Sequence, residues 1–181
     1  DPMDFSYVGD FETVEGLVER LCASGLWTSF RTRPYSKVPA PETRPLAIYV
    51  TAMDTEPLSA DPAVIIADQS DAFREGLKTV ARLGSGKTYL CHADGVATPG
   101  GDVDGVIEAT FSGPHPAGLP GTHIHFLTPP TPEQAVWTIW YQDVIAIGQL
   151  MLTGKLDPTR VVALSGPLCK EPRLVRTLAG A

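Results

Sequence analysis

Positive charge is scarce in this chain. Its 181 residues carry 14 Lys and Arg against 21 Asp and Glu, a formal net charge of −7, with no run of Lys or Arg. That balance argues against nucleic acid or an anionic membrane surface as an electrostatic partner. Cysteine is sparse too. Cys22, Cys91 and Cys169 are odd in number, far apart and in no CxxC spacing, which argues against a disulfide framework and predicts reduced thiols serving as buried small hydrophobes. Long apolar runs are missing. The most apolar region, Ala135–Leu152, is broken by Gln142, Asp143, Gly148 and Gln149, and no window approaches the roughly 18 uninterrupted residues of a membrane span. There is no signal-peptide pattern, internal repeat or low-complexity tract. The opening Asp1-Pro2-Met3-Asp4 has the character of mid-chain sequence or of an expression remnant, so further polypeptide is expected around this stretch.

What remains is the composition of a folded protein, 43% apolar and 19% charged. With 17 glycines and 17 prolines, turns are expected to be many and long bundle helices few. A chain of this length builds one sizeable core, and a single domain over 1–181 is expected. Asp10 is placed to cap a helix over Phe11–Ala23, with Phe11, Val14, Leu17, Val18 and Leu21 on one face and Gly25 as its stop. Leu46–Thr51, Thr88–Cys91 and Val106–Phe111 have strand character, and Arg160–Leu164 that of a further core strand, with Arg173–Leu178 a last strand or tail. A short helix around Val64–Ile66 and one from Ser70 or Asp71 to Leu83 fall between the first two strands. Over Gln134–Thr153 the periodicity permits one long helix, and Thr131-Pro132-Glu133-Gln134 fits a capping box. The β-branched and aromatic run Val136–Tyr141 favours a strand instead, with Asp143 capping a helix over Val144–Thr153. Strands alternating with helices predict an α/β fold with a mostly parallel sheet.

Two loops stand out as candidate sites. Gly25–Ala40 interleaves Trp27, Phe30 and Tyr35 with Arg31, Arg33 and Lys37, the mixture that a planar or anionic ligand needs, although arginine stems also cover aromatic surface in ordinary loops. Phe111–Phe126 gathers three of the four histidines among prolines and glycines, and is expected to be a shaped loop. His123-x-His125, with His115 nearby, would share one face of a strand, but no Glu follows as in the cupin pattern, so metal binding is not the favoured reading. Gly84-Ser85-Gly86-Lys87-Thr88 ends like a phosphate loop. Ala81 stands where that motif needs glycine, and the order is helix then strand, so a turn closing a helix is expected. No Gly-x-Ser-x-Gly elbow supports a hydrolase.

Gly113–Leu127, Ser24–Pro39, Val50–Pro57, Tyr141–Gly148 and Pro172–Thr177 together resemble the A subunit of the sodium-translocating NADH:quinone reductase, over nearly the whole chain. The resemblance implies a Rossmann-like portion of that protein, more distantly similar to the flavoprotein subunit of complex I and the C subunit of Rnf. Those relatives hold FMN and NADH at a Gly-Gly-Ala-Gly-Phe-Pro-Thr loop, whereas Ala23–Thr28 here retains only Gly25 and Thr28. Leu26 and Trp27 would crowd a backbone that must lie against phosphate.

The resemblance therefore implies a degenerate nucleotide site, with FMN or FAD and NADH on other subunits, no firmly bound cofactor here and no activity alone. It also implies a peripheral place on the cytoplasmic face of the bacterial inner membrane, beside a quinone-side membrane subunit. Trp27, Phe30, Arg31, Arg33, Glu56, His115, His123, His125 and Gln142 are the candidate surface. Either it receives a ubiquinone head group, with an imidazole passing a proton, or it docks a neighbouring subunit while binding no small ligand.

Overall fold

In the computed structural model, which describes residues 3–131 and 134–180, the elements run as follows. Helix α1 (Val14–Ala23) leads through a 3-10 turn (Leu26–Ser29) to strand β1 (Arg31–Arg33) and then β2 (Ala47–Thr51). Helices α2 (Pro62–Asp68) and α3 (Ser70–Leu83) precede β3 (Lys87–Ala93) and β4 (Val106–Phe111). Helix α4 (Pro120–Phe126), β5 (Val136–Trp140), α5 (Tyr141–Thr153) and the strands β6 (Thr159–Leu164) and β7 (Arg173–Leu178) complete the described chain.

The main sheet has the order β1-β5-β2-β3-β4, parallel except for the antiparallel edge strand β1. The fold is α/β, with a mostly parallel sheet flanked by helices, as the alternation predicts. Ile48, Val50, Leu90, Trp137 and Ile139 face one core, completed by α1, α3 and α5 through Leu21, Phe73, Leu77 and Val144. Tyr49, Tyr89, Cys91 and Val136 face the other side, where Ile124 of α4 covers them. Helices α3 and α5 meet backbone to backbone: a Cβ on Gly148 would stand 1.7 Å from the Ala72 carbonyl oxygen, and one on Gly76 2.0 Å from that of Val144.

Several local expectations change. Thr13, not Asp10, caps α1 by accepting the Gly16 amide; the Asp10 carboxylate takes the amide of Glu12 in a preceding turn. Gly25–Ala40 is not all loop, because Arg31–Arg33 finds a partner in β5. Pro120 at the first helical position pre-sets φ, so the end of the histidine stretch winds into α4. Val136–Trp140 is a strand, and Tyr141 already begins α5, leaving Asp143 inside the first turn where its charge suits the helix dipole. Of the capping-box residues, Pro132 and Glu133 lie outside the described residues. Gly84–Gly86 is the turn between α3 and β3. Residues 160–164 are not a core strand of the main sheet: β6 and β7 pair only with each other. Of the cysteines only Cys91 is buried, its thiol pushed up to about 12 by desolvation; Cys22 is exposed and Cys169 half-buried.

Candidate functional site

Chain order and sheet order diverge at one place. After β2 the chain moves outward through β3 and β4, then returns to lay β5 on the other side of β2. The carboxyl ends of β2 and β5, Thr51 beside Trp140 in register, therefore border the crevice where open α/β sheets take ligands.

On the α4 side this region is open. Arg31 pairs with Thr138 and Arg33 with Val136, so both guanidinium stems rise from the same face as Thr138 and Trp140. Helix α4 lies over Tyr49, Tyr89 and the start of β5 at Val136, and leaves the sheet open at Arg31, Arg33, Thr138 and Trp140. The gap is a cleft of about 630 Å³, walled by Arg31, Arg33, Thr138 and Trp140 on the sheet and by Pro116, Leu119, Pro120 and Ile124 opposite. The lining is mainly apolar, with hydroxyls from Ser36, Thr122 and Thr138. Among the described residues neither arginine has a carboxylate partner, and the Arg33 Nε is buried with no hydrogen-bond acceptor. Arg31 is oriented by donating to the Phe30 and Thr28 carbonyls. Two cations without a salt-bridge partner, beside an indole, can hold a planar ring that carries oxygen acceptors.

The acidic loop after β2 supports the far wall. The Gly118 amide donates to Thr55 Oγ1 at 2.9 Å, and that hydroxyl reaches His115 Nδ1 at 3.2 Å. A side chain on Gly118 would collide with the Thr55 amide, 2.7 Å away.

The nine residues singled out from sequence thus separate. Arg31 and Arg33 line the cleft, and His115 stands behind its rim, next to Pro116. Trp27 and Phe30 are not surface residues: they pack with Trp137 in the core, the three ring centroids 5.4–5.7 Å apart, and the Trp27 indole donates to the Pro39 carbonyl. His123 is fully buried against Phe111, its Nε2 donating to the Ala117 carbonyl at 3.0 Å, and desolvation lowers its pKa to about 4. It is in no position to pass protons to the cleft. His125, two residues on and about 200° around the helix, is exposed, so the pair does not share a face. Glu56 is exposed on the acidic loop, away from the cleft wall. Gln142 is fully engaged elsewhere: its amide donates to Val161 O and accepts from Val161 N, both at 2.9 Å.

Trp140, Thr138 and Ile124 were the residues sequence reasoning missed. The alternation Val136, Thr138, Trp140 along β5 held a signal for the first two, since it leaves an indole at a strand's carboxyl end. Nothing local marks Ile124.

The model of the family described as "NqrA second alpha/beta domain" matches residues 12–156. The chain belongs to this family. It is 57% identical over 168 residues to the Na(+)-translocating NADH-quinone reductase A subunit of Serratia proteamaculans, covering 92% of the chain and 37% of that protein. The A subunits of the same enzyme from Rhodopirellula baltica and Pseudomonas aeruginosa are each 56% identical, over 167 and 169 residues, covering 92% and 93% of this chain. The chain spans 37% and 38% of those two relatives. Membership of the NqrA family agrees with the resemblance read from the sequence. No helix among the described residues is long and apolar enough to cross a membrane.

Proposed function

We propose that this NqrA domain is part of a sodium-pumping NADH:ubiquinone oxidoreductase and that its cleft receives the quinone head group. The observation that carries this reading is the pair Arg31 and Arg33, without carboxylate partners, on the same cleft wall as Trp140. A quinone ring offers a flat π face and two carbonyl acceptors, which suit an indole and a guanidinium respectively. The residues of this chain bind and orient; none of the cleft's side chains is a titratable acid near neutrality, so proton delivery falls to groups outside it. Leu26 and Trp27 fill the place of the relatives' glycine loop, which supports a degenerate nucleotide site, with flavin and NADH on other subunits. The domain then works as a peripheral subunit on the cytoplasmic face, against the membrane subunit that holds the quinone side, and turns over only within the complex.

A second reading, in which the same face docks that neighbouring membrane subunit and no small ligand binds, is favoured by Tyr35 and Phe126, 79% and 71% exposed. Ligand-observed NMR on the full-length protein with a short-chain ubiquinone, FMN and NADH separates the two. Saturable quinone binding, weakened at least about tenfold by Arg33→Gln or Trp140→Ala, is expected, because a charge-assisted hydrogen bond contributes about 1.5–3 kcal/mol. Silence from all three ligands, with the same variants impairing assembly, would favour docking. Binding of FMN would overturn the argument from Leu26 and Trp27.

A further inference from the structure

The hairpin of β6 and β7 stands apart from the main sheet, and its two faces have different surroundings. Pairing of Val161 with Arg176 and of Ala163 with Leu174 sets one face. That face makes the hairpin's contacts with the domain, although on β7 Leu174 and Leu178 stay 41% and 55% exposed. Val161 packs on the main core, Leu174 lies with Val64 and Ile65 around a shared groove, and Arg176 pairs with Asp68. The opposite face carries Val162, Leu164 and the half-buried Val175, with Thr177 and Arg173 beside them and Arg160 at its end reaching back to Asp143. Val162 and Leu164 are 47% and 46% exposed, and neither joins an apolar cluster of the described residues.

The edges differ in the same way. On the outer side of β6, the Gln142 amide satisfies both the N–H and the C=O of Val161, much as a neighbouring strand would. Along β7 no hydrogen bond reaches the outer edge from any described residue. A two-stranded sheet is marginal in water without a third strand or a packed apolar face, and a bare edge beside branched apolar side chains invites pairing. Natural folds do not leave both unprotected.

The extent of the family matches points to what covers them. The domain model matches 12–156 and so stops before β6, whereas the match to the relatives extends over 167–169 residues. More than three-fifths of each relative lies outside this match, since the chain covers 37% or 38% of it. We infer that the outer face of the hairpin, Val162, Leu164 and Val175 together with the free edge of β7, is a seam against which another part of the same polypeptide packs. The hairpin is then shared: its inner face belongs to the α/β domain and its outer face to the next folded unit. This rests on family membership and not on the quinone reading.

Thiol accessibility in the full-length protein tests the seam. With the exposed Cys22 and the half-buried Cys169 replaced by serine, Val162→Cys and Val175→Cys are introduced singly and their rates of maleimide labelling compared with those in urea. Native labelling at least about a hundredfold slower than unfolded labelling is expected, because reaction then waits for local opening. As a measurement that needs no substitution, hydrogen exchange of the β7 amides in the unaltered protein should be as slow as that of β5. Rapid labelling and rapid exchange in the isolated full-length protein would overturn the inference. Protection that appears only in the assembled complex would assign the face to another subunit, and protection that rises with protein concentration would assign it to a second copy. Either result would also overturn it.

Discussion

His123 is an imidazole that the fold has removed from solvent, and its surroundings decide which protonation state it can keep. Its Nε2 donates to the Ala117 carbonyl, Phe111 packs on the ring at 4.3 Å, and Nδ1 is buried with no partner. Desolvation dominates, lowering the pKa to about 4. An imidazole with a depressed pKa favours the folded state while neutral, so its contribution is complete above the unfolded value near 6.5. That contribution is lost as pH falls toward about 4, where the folded ring also protonates. The full effect is on the order of 3 kcal/mol. Urea unfolding at a series of pH values should therefore show a slope between 6.5 and 4 that His123→Gln flattens, whatever the variant's overall stability. Equal slopes in the two proteins would mean that the ring is protonated inside the fold. The same residue shows why site residues were only partly legible. A histidine among prolines and glycines looks available in sequence, whereas burial is settled by distant residues such as Phe111.

At the scale of elements, the crossing of α3 and α5 brings two backbones into direct contact. It depends on Gly76 and Gly148, because a Cβ at either would overlap the other helix's backbone, which cannot yield as a side-chain tip can. Gly148→Ala is expected to lower stability by about 3 kcal/mol, the upper end for overpacking. Gly121→Ala on α4, where a Cβ would meet nothing within 4 Å, should be neutral or slightly stabilising. Denaturant unfolding of both variants checks this, and a near-neutral Gly148→Ala would show that the helices can separate without loss. Such crossings are invisible to periodicity, which sees α3 and α5 as amphipathic helices and not as neighbours. The strands β2 to β5 and the helices α1, α3 and α5 were legible because each carries its own period of apolar residues and its own stop. Short β1 and α4 were not. Three residues become a strand only because β5 lies alongside, and seven become a helix because Pro120 starts them over the Tyr49 and Tyr89 rings. The cleft lies between these two elements, so its position could not be read before they were.

Over the whole molecule, family membership was legible in the sequence, but the role of its conspicuous Tyr141-Gln142-Asp143 segment was not. In position these residues follow a strand at the switch point, where a ligand would be expected. In fact Gln142 holds the β6 backbone, and Asp143 pairs with Arg160 at 3.0 Å, so the segment fastens the hairpin to the start of α5. Asp143 lies in a desolvated place that raises its pKa, with Arg160 as the main opposing influence. The attachment adds a few apolar contacts at Val161 and Leu174 to these polar ones, whereas the main sheet depends on a continuous apolar core, so the two should come apart separately. Gln142→Leu keeps much of the side-chain volume but leaves the Val161 N–H and C=O without partners, a loss of about 1–3 kcal/mol falling on the hairpin's docking. Hydrogen exchange on the full-length protein should then show faster exchange across β6 and β7, with the amides of β2 and β3 unchanged. Uniform acceleration through both sheets would mean instead that the hairpin and the α/β core unfold as one unit, and that Gln142 supports the whole domain.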